Sequence, residues 1–301
     1  MITGKHVTDI QSERQHMQIL FLLPLLLAMV ALILIPMGSL FGISFSNYKL
    51  TSAAFRMIGF RNYGDLLGDG NFRNAAKNSV IMVFWSVLLQ MVLGVIAAMV
   101  IQRLRKLRAF VQMIIVVPMV VPPVIAGLIW RILLVPKYGG IDAFLLGFGI
   151  TNGPAWLSEP FFALWTIILV SVWEWTPFVI LFVIAALDSL PLSPFEAARI
   201  DGANFLQETF YLTLPLIRPI LATVLIFRIV EGLKIFPLVY TLTQGGPGRY
   251  TEELTYFAYS EGFVKFKLGY ASASSVMMFT VIIVLIVLFY GHITRKGKKP
   301  Q

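Results

Sequence analysis

From Phe161 to Leu187 the chain reads FFALWTIILVSVWEWTPFVILFVIAAL, and Glu174 is the lone charge in that run. A helix needs about 20 mostly apolar residues to cross the hydrocarbon core of a bilayer, and this run is longer. Backbone polar groups in lipid must be satisfied within the segment, which selects a helix. The strict alternation of a lipid-facing β-strand is missing, which argues against a β-barrel. Working outward, five further stretches read the same way: Ile19 to Phe45, Asn78 to Ile101, Phe110 to Val135, Leu216 to Leu242 and Tyr270 to His292. The expected fold class is all-α, a polytopic membrane protein with six spans and short helices in one loop.

Composition agrees with that reading. The chain has 301 residues, of which 58% are hydrophobic and 13% charged, against roughly 25% charged in soluble domains. Its mean hydropathy is +0.82. These values exclude an ordinary soluble enzyme, a disordered chain and a fibrous repeat. There is no cysteine, hence no disulfide framework, thiol nucleophile or cysteine metal site. His6, His16 and His292 lie near the chain ends, so no histidine cluster is expected for catalysis or metal binding. No Walker A sequence occurs; Gly291 to Lys298 has the wrong spacing and follows an apolar helix, not a strand. Energy from a nucleotide would have to come from another subunit. The net charge of +9 is read as loops facing anionic lipid rather than nucleic acid.

Positive charge sets the orientation. The connection 102–109 holds Arg103, Arg105, Lys106 and Arg108, and the tail 293–301 holds Arg295, Lys296, Lys298 and Lys299. Both are placed in the cytoplasm, as is the amino-terminal segment 1–18. The first span (19–45) has an apolar run too long for a signal peptide and no small-residue cleavage site, so it is read as retained. Loops near 46–77, 136–160 and 243–269 then lie outside, and 188–215 lies inside.

The inner loop reads LPLSPFEAARIDGANFLQETFYLTLP from Leu190 to Pro215. Local rules predict two short helices. Ser193 is placed to cap the first, with Pro194 at its first position and Glu196 completing a capping box. Gly202 suits the left-handed residue that ends it. Asn204 and Gln207 repeat the capping pattern, and Pro215 and Pro219 mark the start of the fifth span. Phe195, Ile200, Phe205, Phe210 and Tyr211 would be exposed on an isolated loop, and exposed apolar patches mark interfaces.

Glu196-Ala197-Ala198, Gly202 and Leu212-x-Leu214-Pro215 resemble the EAA loop of ABC importer permeases, with Leu212 in place of isoleucine. Asp201 and Pro191 fit the carbohydrate-uptake branch, the maltose-type inner-membrane permeases. The resemblance runs from about residue 74 to the carboxyl end, with a permease domain over 74–292. It implies that the first short helix docks on an ATPase subunit, through Glu196, Ala197, Ala198, Asp201, Gly202, Leu214 and Pro215. It further implies a second, non-identical permease subunit, two ATPase subunits that hold ATP and Mg, and an extracytoplasmic solute-binding protein.

Thr243-Gln244-Gly245-Gly246-Pro247-Gly248 resembles the T-G-G-G-P segment of sugar-type permeases, with Gln244 for the first glycine. Gly245, Gly246 and Pro247 are read either as packing near the solute-binding protein or as a helix-ending turn. In the fifth span Arg228, Glu231 and Lys234 recur every three residues and share a helix face. Each would cost about 2.5–3.5 kcal/mol at the bilayer centre, so they face protein or water. Either they line the translocation pathway or a subunit interface, or they form a self-neutralising ladder. Lys234-Ile235-Phe236 resembles the family's L-K-x-F-D run, with Pro237 replacing the acid; Pro237 predicts an unwound turn near the binding region. Trp173, Glu174 and Tyr240 are candidate solute contacts, since sugars stack on aromatic rings and bond polar groups; Trp also anchors span ends. Pro118, Pro122 and Pro123 interrupt the third span, and Arg131 with Trp130 marks its external end.

The expectation is therefore a non-enzymatic, multi-pass subunit of an ATP-driven sugar importer in the cytoplasmic (inner) membrane. This chain would bind no cofactor, metal or nucleic acid. The alternative is a stand-alone secondary transporter or channel for a small polar solute, although no internal repeat supports it.

Overall fold

A computed structural model describes the backbone of residues 3–52, 55–104, 106–151 and 153–296, with side chains from 21 to 288 within those ranges. Residues 297–301, Arg105 and the side chains of His6, His16, His292, Arg295 and Lys296 lie outside the described residues. The described chain is helical: α1 (Thr3–Ser44), α2 (Arg61–Gly68), α3 (Gly70–Gln102), α4 (Arg108–Val120), α5 (Pro123–Leu133), α6 (Gly140–Gly147), α7 (Pro160–Asp188), α8 (Ser193–Ile200), α9 (Phe205–Gln207), α10 (Leu214–Gly232), α11 (Phe236–Leu242), α12 (Leu254–Tyr259) and α13 (Leu268–Lys296). Single π-helical turns join α9 to α10 (Glu208–Thr213) and follow α12 (Ser260–Val264). Among the described residues the extended pairing is a lone bridge between Ser46 and Met57.

The centre of the bundle is α7 packed along α3. Lipid tails are as apolar as leucine, so in a membrane this contact depends on close approach rather than on hydrophobic burial. Gly94 provides it: a Cβ there would lie 2.6 Å from Val179 Cβ. Two apolar cores flank the contact. One gathers Ala98, Val179, Val183, Ile184 and Ile217. The other gathers Met82, Ile167, Ile168, Leu238 and Val239. By contrast, α1 packs against α13 and its apolar residues from Phe21 to Ile35 are exposed in this chain, as expected of a lipid-facing span.

Among the described residues five helices are long and apolar enough to cross a membrane, or six if a bent pair counts as one. That pair is the stretch 110–135 read as the third span, interrupted at the prolines as its sequence predicts. The α4 and α5 axes meet at 93°, and Val121 and Pro122 between them are extended. Pro123 has no amide hydrogen to give and Pro122 fixes φ, so the ladder cannot continue through them. With 13 residues, α4 is about 20 Å long, short of the roughly 30 Å core. The fifth apolar stretch is broken too. It stops at Gly232 and restarts at Phe236 with Pro237 in its first turn, the unwound turn expected from that proline.

At the end of the bundle remote from α8, short elements lock the spans together. Asn62 Nδ2 donates to the carbonyls of Ser44 and Ser46, both at 2.8 Å. Leu50 N donates to Phe266 O and Gly269 N to Tyr48 O. The chain leaving α1 is thereby stitched to the start of α13.

Candidate functional site

The segment from α8 to α10 is an ordered elbow. Its first helix begins differently from the sequence expectation. Leu192 has helical angles (φ −75°, ψ −29°) and no side chain caps the helix. A cap requires a residue outside the helix with extended backbone; Ser193 already lies inside, so the Ser193–Glu196 capping box does not form. Pro194 does sit in the first turn, and Glu196 is exposed. The helix ends as expected. Gly202 is left-handed (φ +78°), Gly202 N donates to Arg199 O at 3.1 Å and Ala203 N to Ala198 O at 2.9 Å. These are the paired bonds of a Schellman ending.

The second cap forms in full. Asn204 Oδ1 accepts from Gln207 N at 2.9 Å, and Gln207 Oε1 accepts from Asn204 N at 2.8 Å. Arg199 pairs with Glu208 at 3.3 Å, tying α8 to the π turn. Ala198, Asp201, Gly202, Gln207 and Tyr211 line an open groove of about 390 Å³. Ala197 faces solvent on α8, while Leu214 and Pro215 open α10 at the base of the elbow. Ile200 (87% exposed), Leu206, Phe210 and Tyr211 (77%) are exposed apolar residues of the elbow, while Phe205 is exposed in part. Phe195, expected with them, is half-buried.

A second region lies where the two broken spans meet. A small cavity of about 90 Å³ is bordered by Pro123 from the α4–α5 break and by Lys234, Ile235 and Pro237 from the α10–α11 break. Glu174, Trp175, Arg228 and Glu231 also line it. Thus four of the six pathway candidates come together. Of the ladder weighed from spacing, the Glu231–Lys234 rung forms, whereas Arg228 makes its hydrogen bond elsewhere. Glu231 pairs with Lys234 at 2.8 Å, both partly exposed. Arg228 is buried (2%); its Nε donates to Gln90 Oε1 at 2.9 Å, and its guanidinium carbon lies 4.7 Å from the centre of the Trp175 ring. Glu174 is buried too. The remaining two candidates stand apart. Trp173 is half-exposed and meets Trp130 edge to face at 5.5 Å. Tyr240 joins a cluster with Phe236 and Tyr259, each 5.6 Å away. Arg131 donates to Thr241 O at 3.2 Å, joining α5 to α11.

The glycine-rich turn is built tightly. Gln244 (φ +52°) and Gly245 (φ +80°) are both left-handed, so the backbone demand of the replaced glycine persists at Gln244. Gly246 N donates to Thr243 O, Tyr250 N to Pro247 O, and Thr251 Oγ1 to Gly246 O at 2.6 Å. Asn74 and Asn78 on α3 donate to the carbonyls of Arg249 and Glu252, both at 2.9 Å. Gly245 and Gly246 line an open cavity of about 300 Å³ with Arg249, Glu252 and Tyr256. Next to it Glu253 caps α12 by accepting from Thr255 N (2.7 Å) and Tyr256 N (2.6 Å). Burial pushes its carboxyl up to about 7, against the two amides that favour the charged form.

Several of these residues were missed from sequence. Gln90, a polar residue inside an apolar run, carried a signal. Glu253 before Leu254 carried a cap signal. Asn74 and Asn78 carried none, because their partners lie more than 170 positions away. Among the described residues no group of three or more His, Cys, Asp or Glu stands close enough to share a metal ion.

Residues 90–299 match the family described as binding-protein-dependent transport system inner membrane component. Among similar proteins, the trehalose/maltose transport system permease protein MalF of Thermococcus litoralis is 32% identical over 267 residues, 88% of this chain and 89% of that one. The sulfoquinovosyl glycerol transport system permease protein SmoG of Agrobacterium fabrum is 30% identical, over 87% of this chain and 85% of that one. The sn-glycerol-3-phosphate transport system permease protein UgpA of Pectobacterium atrosepticum is also 30% identical, over 91% and 92%. Among solved structures, a chain of a bacterial alginate ABC transporter, in complex with an alginate pentasaccharide-bound periplasmic protein, superposes with a TM-score of 0.83. It is 25% identical, covering 97% of this chain and 98% of that one.

Proposed function

This chain belongs to the family of binding-protein-dependent transport system inner membrane components, and from that premise we propose that it carries a neutral sugar inward in an ATP-driven importer. Its elbow faces the cytoplasm and docks on an ATPase subunit. Two such subunits bind ATP and Mg and perform the hydrolysis, a second, non-identical permease completes the pathway, and an extracytoplasmic protein delivers the sugar.

The observation that carries this reading is the elbow. A free loop would not hold a Schellman ending and a complete capping box within a few residues, and this ordered segment keeps Ile200 and Tyr211 exposed. An apolar surface on a stiff protrusion suits a protein partner. Glu196, Ala197, Ala198, Asp201 and Gly202 form its contact face, and Leu214 and Pro215 pass its movement into α10.

The mechanism is two-state. Closure of the ATPase subunits displaces the elbow, the spans tilt, and the cavity beside Glu174, Arg228, Glu231 and Lys234 exchanges access from one side to the other. Shifting such an equilibrium from 1:99 to 99:1 needs about 5.5 kcal/mol of differential binding, which a stiff elbow transmits and a soft one dissipates. The cavity's charges favour a neutral solute over a phosphate ester. Lys234 is paired with Glu231, and Arg228 is bonded to Gln90 and stacked on Trp175 beside Glu174. Neither cation is free to hold a phosphate. Gly245, Gly246 and Pro247 shape the rim that meets the delivering protein, while Trp173 and Tyr240 supply aromatic faces along the route.

The test is uptake by the assembled complex in proteoliposomes, with its solute-binding protein outside and ATP inside. Labelled trehalose, maltose and glycerol 3-phosphate are offered in turn. The proposal expects ATP-dependent uptake of a neutral sugar; uptake of glycerol 3-phosphate alone, or uptake without ATP, contradicts it.

A further inference from the structure

Two consecutive residues at the end of α3 reach in different directions. Gln102 Nε2 donates to Asp188 Oδ1 at 2.9 Å, and the same carboxylate holds the Arg108 guanidinium, with Nη1 at 3.0 Å. The ends of α3 and α7 and the start of α4 are thereby tied at one point. Arg103 turns the other way. Its guanidinium carbon lies 3.7 Å from the centre of the Phe205 ring, and Phe205 is the first residue of α9.

Elsewhere the elbow is loosely seated. Between it and the bundle lies a cavity of about 270 Å³, bordered by Met99, Leu187, Leu190 and Phe195 beside Arg103 and Phe205. Neither α8 nor α9 packs extensively on α3 or α7. The elbow is braced internally by Arg199–Glu208 and by Asn204–Gln207. The elbow continues through the π turn into α10; a cation centred on a ring gives it a second join, to the end of α3. Its distance is short enough to exclude water from between the two groups.

We propose that Arg103 is a positioning residue: its stack on Phe205 fixes the elbow to the end of α3, so that the elbow and the α3–α7 pair move as one body. This rests on the reading of the elbow as the element that ATPase subunits displace. The neighbouring Asp188 node then spreads that displacement to α4.

The chain has no cysteine of its own, so the test uses spin labels at S193C on the elbow, where the side chain caps nothing, and V92C on α3. Both sites are exposed. The labelled chain is assembled with its second permease and ATPase subunits in nanodiscs, and the label distance is read without nucleotide and with a non-hydrolysable ATP analogue. With Arg103 and Phe205 present, the distance is expected to be the same in both states. In Arg103→Ala and in Phe205→Leu a nucleotide-dependent shift should appear, whereas Phe205→Tyr, which keeps the ring, should restore the constant distance. ATP-driven uptake of the transported sugar should fall about fivefold in both shifted variants, and no further in the double variant. A constant distance in Arg103→Ala, or a shift in the unsubstituted chain, overturns the proposal. Failure of the ATPase subunits to co-purify with the unsubstituted chain would instead overturn the docking reading, so the two failures are distinguishable.

Discussion

Arg228 on α10 and Gln90 on α3, separated by 138 positions, meet at 2.9 Å inside the bundle. Gln90 Nε2 in turn donates to Ser171 O on α7 at 3.0 Å, so one amide joins three spans around a buried cation. Gln90→Leu removes the acceptor and leaves Arg228 its Trp175 stack without this hydrogen bond. Hydrogen bonds to charged groups contribute about 1.5–3 kcal/mol. The variant should therefore lower the melting temperature of the detergent-purified protein, and Gln90→Glu, which keeps an acceptor, should lower it less. Equal melting temperatures for Gln90→Leu and the unsubstituted chain would remove this node from the account.

The contact of α3 with α7 predicts a steric effect. A methyl group at Gly94 would overlap Val179 Cβ, and overpacking costs about 1–3 kcal/mol. Gly94→Ala should destabilise by about that amount, and Val179→Ala in the same chain should recover part of the loss. Thermal unfolding of the single and double variants reads both.

The elbow's two predicted caps separate cleanly. Asn204→Ala should cost about 1 kcal/mol, the usual worth of an N-cap, and should expose the elbow to limited proteolysis. Ser193→Ala should change neither, because Ser193 caps nothing.

That contrast shows what the sequence could reveal. The apolar runs were legible because each long span is continuous in the chain. The left-handed glycine at 202 and the cap at Asn204 were legible because each depends on residues within a few positions. The Ser193 cap failed because helical geometry already begins at Leu192, a choice no local pattern of residue types dictates. Adjacent prolines marked the α4–α5 interruption, but residue types alone do not set its 93° bend or its packing of α5 on α11. Spacing placed Arg228, Glu231 and Lys234 on one face. It could not assign Arg228 to Gln90, nor gather Glu174 with both helix breaks, because those pairings arise only on folding.

Burial makes the turn beside α12 pH-sensitive. The Glu253 carboxyl titrates near 4.5 when exposed and near 7 in the folded protein. Between those values the folded state holds the proton more tightly, so stability from this group is full below the lower value and is lost as pH rises through the upper one. The melting temperature should fall as pH rises from 4.5 to about 7. Glu253→Gln, which has no proton to lose, should flatten that slope.

The claim on which all else depends is that the Gly202-terminated elbow is where the ATPase subunits dock. Gly202 is left-handed at φ +78° with open space around it, so a β-branched side chain is excluded by backbone strain and not by crowding, while asparagine tolerates this conformation. The decisive measurement is co-purification of the ATPase subunits from membranes containing Gly202→Val or Gly202→Asn at equal levels of inserted protein. The account predicts loss of the ATPase subunits with valine and their retention with asparagine. Full retention with valine, together with undiminished ATP-driven uptake, would contradict it.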